Sequence, residues 1–273
     1  MVASMHLIGF LTALLLTCLP SAGETDDPLQ IHLISEVRSI SPGKPFFVGV
    51  HLVHPPGSHT YWQHPGIVGL ATKIEWDLPP GFSAGEIQWP APQVVEMAGY
   101  EAQGYQGETL LMIPITPPDN LSSATVTLTA KISWMCCGTT CHPAVRVPFS
   151  VTLPRAAVAE SDSSTHPLFE KFRAAVPRPD PAWTSTVRRE QDKIILTLKP
   201  PGAILKPTGI HFFSADGQVD SNQKQQVEIL SGGVIRMTLA RAETAPGDSS
   251  ALPGVVCLPR GGMSFQLEIN PAY

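Results

Sequence analysis

The sequence predicts an all-β protein of two tandem β-sandwich domains, the first immunoglobulin-like and the second carrying one short helix. Proline makes up 28 of the 273 residues, roughly twice the usual share, and proline breaks helix interiors. Short runs with alternating apolar residues lie between Pro/Gly turns, as in antiparallel sheets. Because 43% of the residues are hydrophobic and only 15% are charged, the chain can bury a sizeable core and is not disordered.

The amino terminus has the features of a signal peptide. Residues 7–19 form an uncharged apolar run, which is too short to span a bilayer but suits the apolar region of an export signal. The small residues Ser21 and Gly23 are suitably placed for cleavage, so residues 1–23 are predicted to be removed. A lipoprotein anchored through Cys18 is the alternative, although the residue before it fits a lipobox poorly. We therefore expect the mature protein to be periplasmic, where disulfides are permitted.

Residues 24–154 are predicted to form the immunoglobulin-like domain. The clearest strand covers residues 124–134, in which apolar and polar side chains alternate throughout, as in a half-buried antiparallel strand. Residues 145–153 form its predicted partner, with Val145 and every second residue after it on the apolar face. Further strands are predicted at residues 46–53, 73–78 and 109–115.

Residues 155–165 are small and polar and are predicted to be a linker. Residues 166–273 follow as a second β-sandwich-like domain. Its one helix is expected at residues 166–176, where apolar residues recur with helical spacing. Its strands are predicted at residues 185–189, 193–198, 210–214, 227–230, 234–239, 254–258 and 264–269.

Charge is divided unevenly between the two halves of the chain. The whole chain has a net charge of −5 and a pI near 6.0, which excludes a nucleic-acid binder that needs a basic stripe. Residues 24–154 contain 5 basic and 11 acidic residues, whereas residues 155–273 contain 13 and 12. The first domain therefore suits a partner with a positive face, unless its charge serves only solubility.

A cluster of cysteines follows the best predicted strand, in the sequence WMCCGTTCHP at residues 134–143. If the alternation of the strand continues, Cys136 points into the core and Cys137 points outward. Cys137 and Cys141 then flank a hairpin loop, close enough to form a disulfide that a partner thiolate can reach. Cys136 is expected to be a small buried hydrophobe, which is a common role for free cysteine.

The residues alone leave open whether a Cys137–Cys141 bond is structural or reactive. Closing so short a loop stabilises the fold by roughly 2 kcal/mol, a small gain for a domain that already has a core. A bond between the adjacent Cys136 and Cys137 is disfavoured by its strained geometry. Cys257 lies in an apolar strand and is expected to be buried, and a bond to Cys136 is left open.

Metal binding is the competing chemistry for this cluster. Cys136, Cys137, Cys141 and His142 are soft ligands that would suit Cu(I), but the strand directs the first two to opposite faces. We therefore predict neither a metal nor another cofactor. Four more histidines are expected at the surface or in turns: His51, His54, His59 and His64.

Three segments carry a resemblance to a known family. Residues 61–92, 104–118 and 134–143 resemble, in the same order, the amino-terminal periplasmic region of the thiol:disulfide interchange protein DsbD, including its ScsB-type relatives. The resemblance covers roughly residues 28–270 and is strongest over residues 57–154. Its pattern is specific there, because a cysteine pair follows a Trp-ended strand and precedes a proline.

The resemblance implies an immunoglobulin-like domain with a redox-active cysteine pair. By position, Cys137 and Cys141 match that pair, and Cys136 occupies a place that is usually apolar. The family covers its cysteines with an aromatic cap loop, for which Tyr61 and Trp62 are candidates, although we expect Trp62 to pack in the core. In the family, the pair receives electrons from a membrane-embedded domain and reduces other exported thiol proteins.

This chain stops at Tyr273, so we expect it to stand alone, without the membrane and thioredoxin-like domains of its full-length relatives. The predicted function is an exported thiol:disulfide relay that passes electrons from a separate membrane-embedded thiol reductase to periplasmic thiol proteins through a reversible Cys137–Cys141 disulfide. If it is an enzyme, it is a protein-disulfide reductase component. The alternatives are a non-catalytic binding or scaffold module with a structural disulfide, and a copper-binding periplasmic protein.

Overall fold

The computed structural model of the protein describes residues 29–202, 209–260 and 263–273. Strands dominate these ranges, which contain one short α-helix, so the all-β prediction is confirmed. No helix in the described ranges is long and apolar enough to cross a membrane. The predicted signal peptide, residues 1–23, lies outside the described residues, and the predicted division into domains stays a prediction.

The secondary-structure elements follow one another along the chain as short strands joined by turns. The strands are β1 Gln30–Ser35, β2 Val37–Ser39, β3 Phe46–Val53, β4 His59–Gly66, β5 Lys73–Asp77, β6 Ser83–Ala84, β7 Gln93–Met97, β8 Tyr100–Gln106, β9 Glu108–Thr116, β10 Thr125–Cys137, β11 Cys141–Pro154, β12 Glu160–Ser161, β13 Thr184–Glu190, β14 Lys193–Lys199, β15 His211–Ser214, β16 Gln226–Ile229, β17 Ile235–Ala240, β18 Gly254–Arg260 and β19 Met263–Ile269. The helix α1 is His166–Ala175, and a 3₁₀ turn lies at Ser231–Gly233.

Two antiparallel sheets form the first sandwich. One has the strand order β1-β3-β9-β6, and the other has the order β11-β10-β4-β8-β7, with β5 also paired to β10. The alternating apolar side chains of β10 point into the space between the sheets, as the period of 2 predicts. These fully or almost fully buried residues are Val126, Leu128, Ala130 and Ile132.

Strand β9 is buried on both faces, which explains its continuous apolar sequence. Leu111 belongs to the core between the two sheets, whereas Leu110 and Met112 point the other way and pack with Phe169 and Phe172 of α1. The amphipathic helix therefore packs against the first sandwich, although it follows the predicted linker in sequence. A short pairing of β12 with β2 precedes it.

The second sandwich consists of a sheet with the order β13-β14-β17-β16 and a sheet with the order β15-β18-β19. It is joined to the first sandwich by apolar contacts. The ring of Phe213 meets the ring of Trp62 edge to face at 6.4 Å. Phe213 and Val255 are also part of the core cluster of the first sandwich, so the two sandwiches share one continuous apolar contact.

Strand β11 departs from the predicted alternation at a bulge. Arg146 has a positive φ of 54°, and its amide donates a hydrogen bond of 2.9 Å to the Ser133 hydroxyl. The extra residue reverses the side-chain direction, so Val145 is 73% exposed. The prediction that Val145 lies on the apolar face is therefore wrong, whereas β10 keeps its alternation through the bulge.

Candidate functional site

Cys137 and Cys141 face each other across the end of the β10–β11 hairpin. Cys137 is the last residue of β10 and Cys141 is the first residue of β11, and their Cα atoms are register partners 4.1 Å apart. The two residues form a disulfide. Gly138 begins the turn between them, and its amide donates to the Thr140 carbonyl at 2.9 Å. The structure thus brings together the two site residues that the sequence predicted.

The two cysteines differ in exposure. Cys137 is fully buried, with 0% of its surface exposed, whereas Cys141 is half-buried. The sequence analysis predicted that Cys137 points outward and is accessible. Because Cys137 is fully buried, the predicted accessibility is wrong. The outward face at this end of the hairpin is covered by a second, smaller apolar cluster. Its members besides the two cysteines are Tyr61, Val68, Val95, Met97, Ala102 and Met135.

Strands that the sequence analysis did not predict supply this cover. The end of β10 pairs with β4 through Cys137 and His59, and β4 pairs in turn with β8. The β7–β8 hairpin turns through Ala98 and Gly99, which have φ values of 52° and 82°, the left-handed pair typical of a tight two-residue turn. This turn places Met97 beside the disulfide, with its Sδ atom 3.4 Å from the Cys141 Sγ atom.

A loop that follows β4 completes the cover. This covering loop, residues 66–70, begins with Gly66 and contains Gly69, whose φ values are 96° and 97°. A Cβ atom on Gly69 would lie 2.1 Å from Cε1 of Tyr61, so the loop backbone lies directly on the tyrosine ring. Val68 joins the cluster around Cys137. Tyr61 therefore lies beneath the covering loop, and Trp62 packs in the main core as expected.

Cys136 lies on the opposite face of β10 from the disulfide. It is 5% exposed and points inward as predicted, beside a cavity of about 260 Å³ that Trp134 and His142 also line. Burial raises the pKa of the Cys136 thiol. Cys136 and Cys257 are both free thiols, so the bond between them that the sequence left open does not form.

The four histidines were expected at the surface or in turns. His54 lies between β3 and β4, and His59 begins β4, but both are buried. The His54 Nδ1 atom donates to the Gly107 carbonyl at 2.6 Å. Its Nε2 atom therefore accepts from the Thr60 hydroxyl at 2.8 Å. The His59 Nε2 atom lies 3.2 Å from the Tyr61 hydroxyl. Burial lowers the pKa of both imidazoles, so His59, the register partner of Cys137, is neutral near pH 7.

The pKa of the Tyr61 hydroxyl is raised, first by burial and then by the nearby Cys136. The side chains packed around Cys137 are therefore apolar or neutral. Cys137 and Cys141 also lie on strands, where neither has the helix N-terminus that lowers the pKa of reactive cysteines in thioredoxin-like proteins. This setting gives a thiolate little electrostatic stabilisation.

Within the described ranges, one group of acidic and histidine side chains has its ligand atoms close enough to hold a metal ion: Glu36, His166 and Glu170. Arg173 forms ion pairs with both carboxylates of this group, including a 3.0 Å contact to Glu170. One of the two negative charges of the group is thus already compensated by the Arg173 guanidinium. The residues considered as alternative copper ligands do not converge, because Cys136 lies on the face of β10 opposite to the bonded pair.

Comparisons with known proteins agree with this geometry. Residues 31–152 match the family described as thiol:disulfide interchange protein DsbD, N-terminal, and this segment includes both bonded cysteines. The fold is similar to the crystal structure of the N-terminal periplasmic domain of ScsB from Proteus mirabilis, with 18% sequence identity and a TM-score of 0.61. That similarity covers 90% of this chain and 94% of the other. A search of curated proteins finds no match.

Proposed function

Residues 31–152 of this chain belong to the DsbD N-terminal family, and on that basis we propose that the protein is an exported thiol:disulfide relay. The Cys137–Cys141 disulfide accepts two electrons from a separate membrane-embedded thiol reductase and passes them to periplasmic thiol proteins. The observation that supports this proposal is the disulfide itself, which joins the two strands at the end of a hairpin within the family segment.

The relay begins when a thiolate of the donor attacks the Sγ atom of Cys141. This sulfur is the point of attack because Cys141 is half-buried and Cys137 is fully buried. The Cys137–Cys141 bond breaks, and the Cys137 sulfur leaves as a thiolate and takes up a proton. The second thiolate of the donor then attacks the mixed disulfide, so that the donor becomes a disulfide and Cys141 becomes a thiol.

Delivery to the acceptor is the same exchange in the opposite direction. The Cys141 thiolate attacks the disulfide of an oxidised acceptor protein, and Cys137 then attacks the Sγ atom of Cys141. The Cys137–Cys141 bond forms again, and the acceptor leaves with two thiols. Because the neutral surroundings stabilise neither thiolate strongly, the pair suits a relay better than a strong oxidant.

The charge of the first sandwich bears on its partners. Residues 24–154 have 11 acidic and 5 basic residues, which favours donors and acceptors that present a positive face. Export of the chain to the periplasm through the signal peptide at residues 1–23 is part of the proposal.

Single-cysteine variants test the different roles of the two sulfurs. In a Cys136→Ala background, Cys137→Ser leaves Cys141 as the remaining member of the pair, and Cys141→Ser leaves Cys137. We expect the variant that retains Cys141 to form a mixed disulfide with oxidised glutathione at least tenfold faster, because its thiol is the less buried. Mass spectrometry follows the product, and equal rates or a faster Cys137 would contradict the assignment.

The full burial of Cys137 supports a second candidate function, in which the disulfide is static and the protein is a non-catalytic binding or scaffold module. Cells that carry a Cys137→Ser, Cys141→Ser double variant separate the two proposals. A relay loses the reduction of periplasmic thiol proteins in such cells, whereas a scaffold retains it. Copper capture is the third candidate, and it is removed if the reduced protein fails to retain Cu(I) against a competing chelator.

A further inference from the structure

The second sandwich reaches the covering loop through Ser221. The Ser221 hydroxyl oxygen accepts a hydrogen bond from the Ile67 amide at 3.3 Å. The same hydroxyl donates to the Glu101 carbonyl on β8 at 2.9 Å. One side chain of the second sandwich thus joins the start of the covering loop to a strand of the first sandwich.

The neighbouring residue strengthens the link to β8. The Asn222 side-chain oxygen accepts a hydrogen bond from the Glu101 amide at 3.0 Å, so Ser221 and Asn222 hold both backbone groups of Glu101. Gln103, two residues further along β8, donates to the carbonyls of His64 at 2.9 Å and Ser214 at 3.2 Å. Strand β8 is therefore tied to the second sandwich at Glu101 and at Gln103.

The contact at Ser221 requires glycine at the first residue of the covering loop. Gly66 has a φ of 96°, and a Cβ atom there would lie 2.1 Å from the Ser221 hydroxyl oxygen. Gly66 is also the last residue of β4, where the loop would hinge on opening. Ser221 therefore lies against the first residue of the loop that carries Val68 to the cluster around Cys137.

The body that carries Ser221 is itself fixed to the first sandwich. Phe213 and Val255 are buried in the core cluster of the first sandwich, and Phe213 meets the ring of Trp62. Since this apolar contact holds the two sandwiches together, Ser221 is an anchor to a rigid neighbour. The covering loop, which carries Val68, is thus tied to the second sandwich through Ile67. The β7–β8 hairpin, which carries Met97, is tied to it through Glu101.

We propose that Ser221 is a positioning residue that holds the covering loop closed, so that the second sandwich sets the rate at which the Cys137–Cys141 disulfide exchanges. The inference rests on the proposed function for its biological role. A loop that only opens and closes over the pair changes the rates of reduction and reoxidation by the same factor. The redox equilibrium of the pair therefore stays where it was.

The test uses Ser221→Ala in the full chain, with dithiothreitol as a small reductant that becomes a cyclic disulfide as Cys137 and Cys141 become thiols. Loss of the hydroxyl removes both hydrogen bonds, and we expect reduction about fivefold faster. Ser231→Ala is the matched control, because Ser231 is an exposed serine of the same sandwich, and it should react at the wild-type rate. Hydrogen exchange at the Ile67 amide should rise only in Ser221→Ala.

Two variants of Asn222 provide an independent test in case Ser221→Ala does not fold properly. Asn222→Asp keeps an acceptor oxygen for the Glu101 amide and should react as the wild type does, whereas Asn222→Ala removes it and should react faster. A wild-type rate in Ser221→Ala would overturn the proposal, whatever the rate in Asn222→Ala. The proposal would also be overturned if Ser221→Ala speeds reduction and shifts the redox equilibrium of the Cys137–Cys141 pair with glutathione.

The outcomes also separate this inference from the proposed function. If the disulfide does not exchange in glutathione buffers, the relay fails, but the dithiothreitol rates still show whether Ser221 holds the loop. If the disulfide exchanges with glutathione and Ser221→Ala has the wild-type rate with dithiothreitol, the relay stands and the role of Ser221 is wrong.

Discussion

The Sδ atom of Met97 lies 3.4 Å from the Sγ atom of Cys141, the more exposed sulfur of the disulfide. A flexible thioether side chain thus lies against the atom that the proposed relay presents to its partners. The tight turn at Ala98 and Gly99 sets this position, because it pairs Met97 with Tyr100 at the end of the β7–β8 hairpin. Access to Cys141 therefore depends on this hairpin as well as on the covering loop.

Replacement of Met97 by alanine should expose Cys141 and speed the exchange. We expect the rate of reduction of the Cys137–Cys141 bond by dithiothreitol to rise several-fold in Met97→Ala. Met97→Leu is the control, since leucine has a similar volume and should keep nearly the wild-type rate. If leucine speeds reduction as much as alanine does, the contact acts through the sulfur atom rather than through its bulk.

The free thiols of Cys136 and Cys257 should resist alkylation in the folded protein. Burial raises the pKa of Cys257 from 9.0 to about 12, and burial also raises the pKa of Cys136. At pH 8 the thiolate fraction of Cys257 should be about a thousandfold smaller than that of an exposed thiol. Mass spectrometry after iodoacetamide treatment measures this.

Urea supplies the control for the alkylation experiment. In the unfolded chain both thiols lose their burial and should react readily, whereas Cys137 and Cys141 stay protected by their bond. Rapid alkylation of Cys136 in the folded protein would show that its side of β10 opens to solvent.

Histidine burial should make the fold less stable at mildly acidic pH. Burial lowers the pKa of His211 from 6.5 to about 4, so unfolding takes up a proton between those values. The neutral His211 side chain therefore contributes fully to the free energy of unfolding above pH 6.5. This contribution is lost as the pH falls to about 4. Its size is at most roughly 3 kcal/mol.

Urea titrations across this pH range measure the effect as a difference between the wild type and His211→Asn. Other histidines also have pKa values lowered by burial and add to the wild-type slope; they are His54, His59 and His64. The asparagine variant should therefore lose less stability than the wild type on acidification. Parallel curves for the two proteins would contradict the assignment to His211.

Helix α1 should contribute to the stability of the first sandwich. Phe169 is 0% exposed and packs with Leu110 and Met112 of β9. Phe169→Ala should lower the free energy of unfolding by about 3–5 kcal/mol, as measured with urea. Leu168→Ala, on the half-buried side of the same helix, is the control and should cost less. Equal losses of unfolding free energy in the two variants would contradict a special role for the contact between Phe169 and β9.

The strongly patterned elements of the fold were predictable from the sequence. Strand β3 was predicted with its observed bounds, and the inward face of β10 is buried as expected. Strands β4, β7 and β8 were missed, because their sequences lack a regular apolar alternation. Their buried positions include polar side chains that are satisfied by hydrogen bonds, such as Gln103 and Thr60.

The site was predictable only in part, for the same physical reason. The spacing of Cys137 and Cys141 around a turn predicted their proximity, and local alternation predicted the inward direction of Cys136. The cover over Cys137 comes from residues distant in sequence, such as Val68 and Met97, which local patterns do not link to the hairpin. Gly66 and Gly69, with two apolar residues between them, were the only local sign of the covering loop.

The central claim is that the Cys137–Cys141 bond is a reversible redox couple. Equilibration of the purified protein across glutathione redox buffers, with the ratio of thiol to disulfide read by mass spectrometry, tests it most directly. The relay predicts a two-electron transition within the range that glutathione buffers reach, which is absent in the Cys137→Ser, Cys141→Ser double variant and unchanged in Cys136→Ala. A bond that stays fully oxidised in every buffer would contradict the relay and make the disulfide structural.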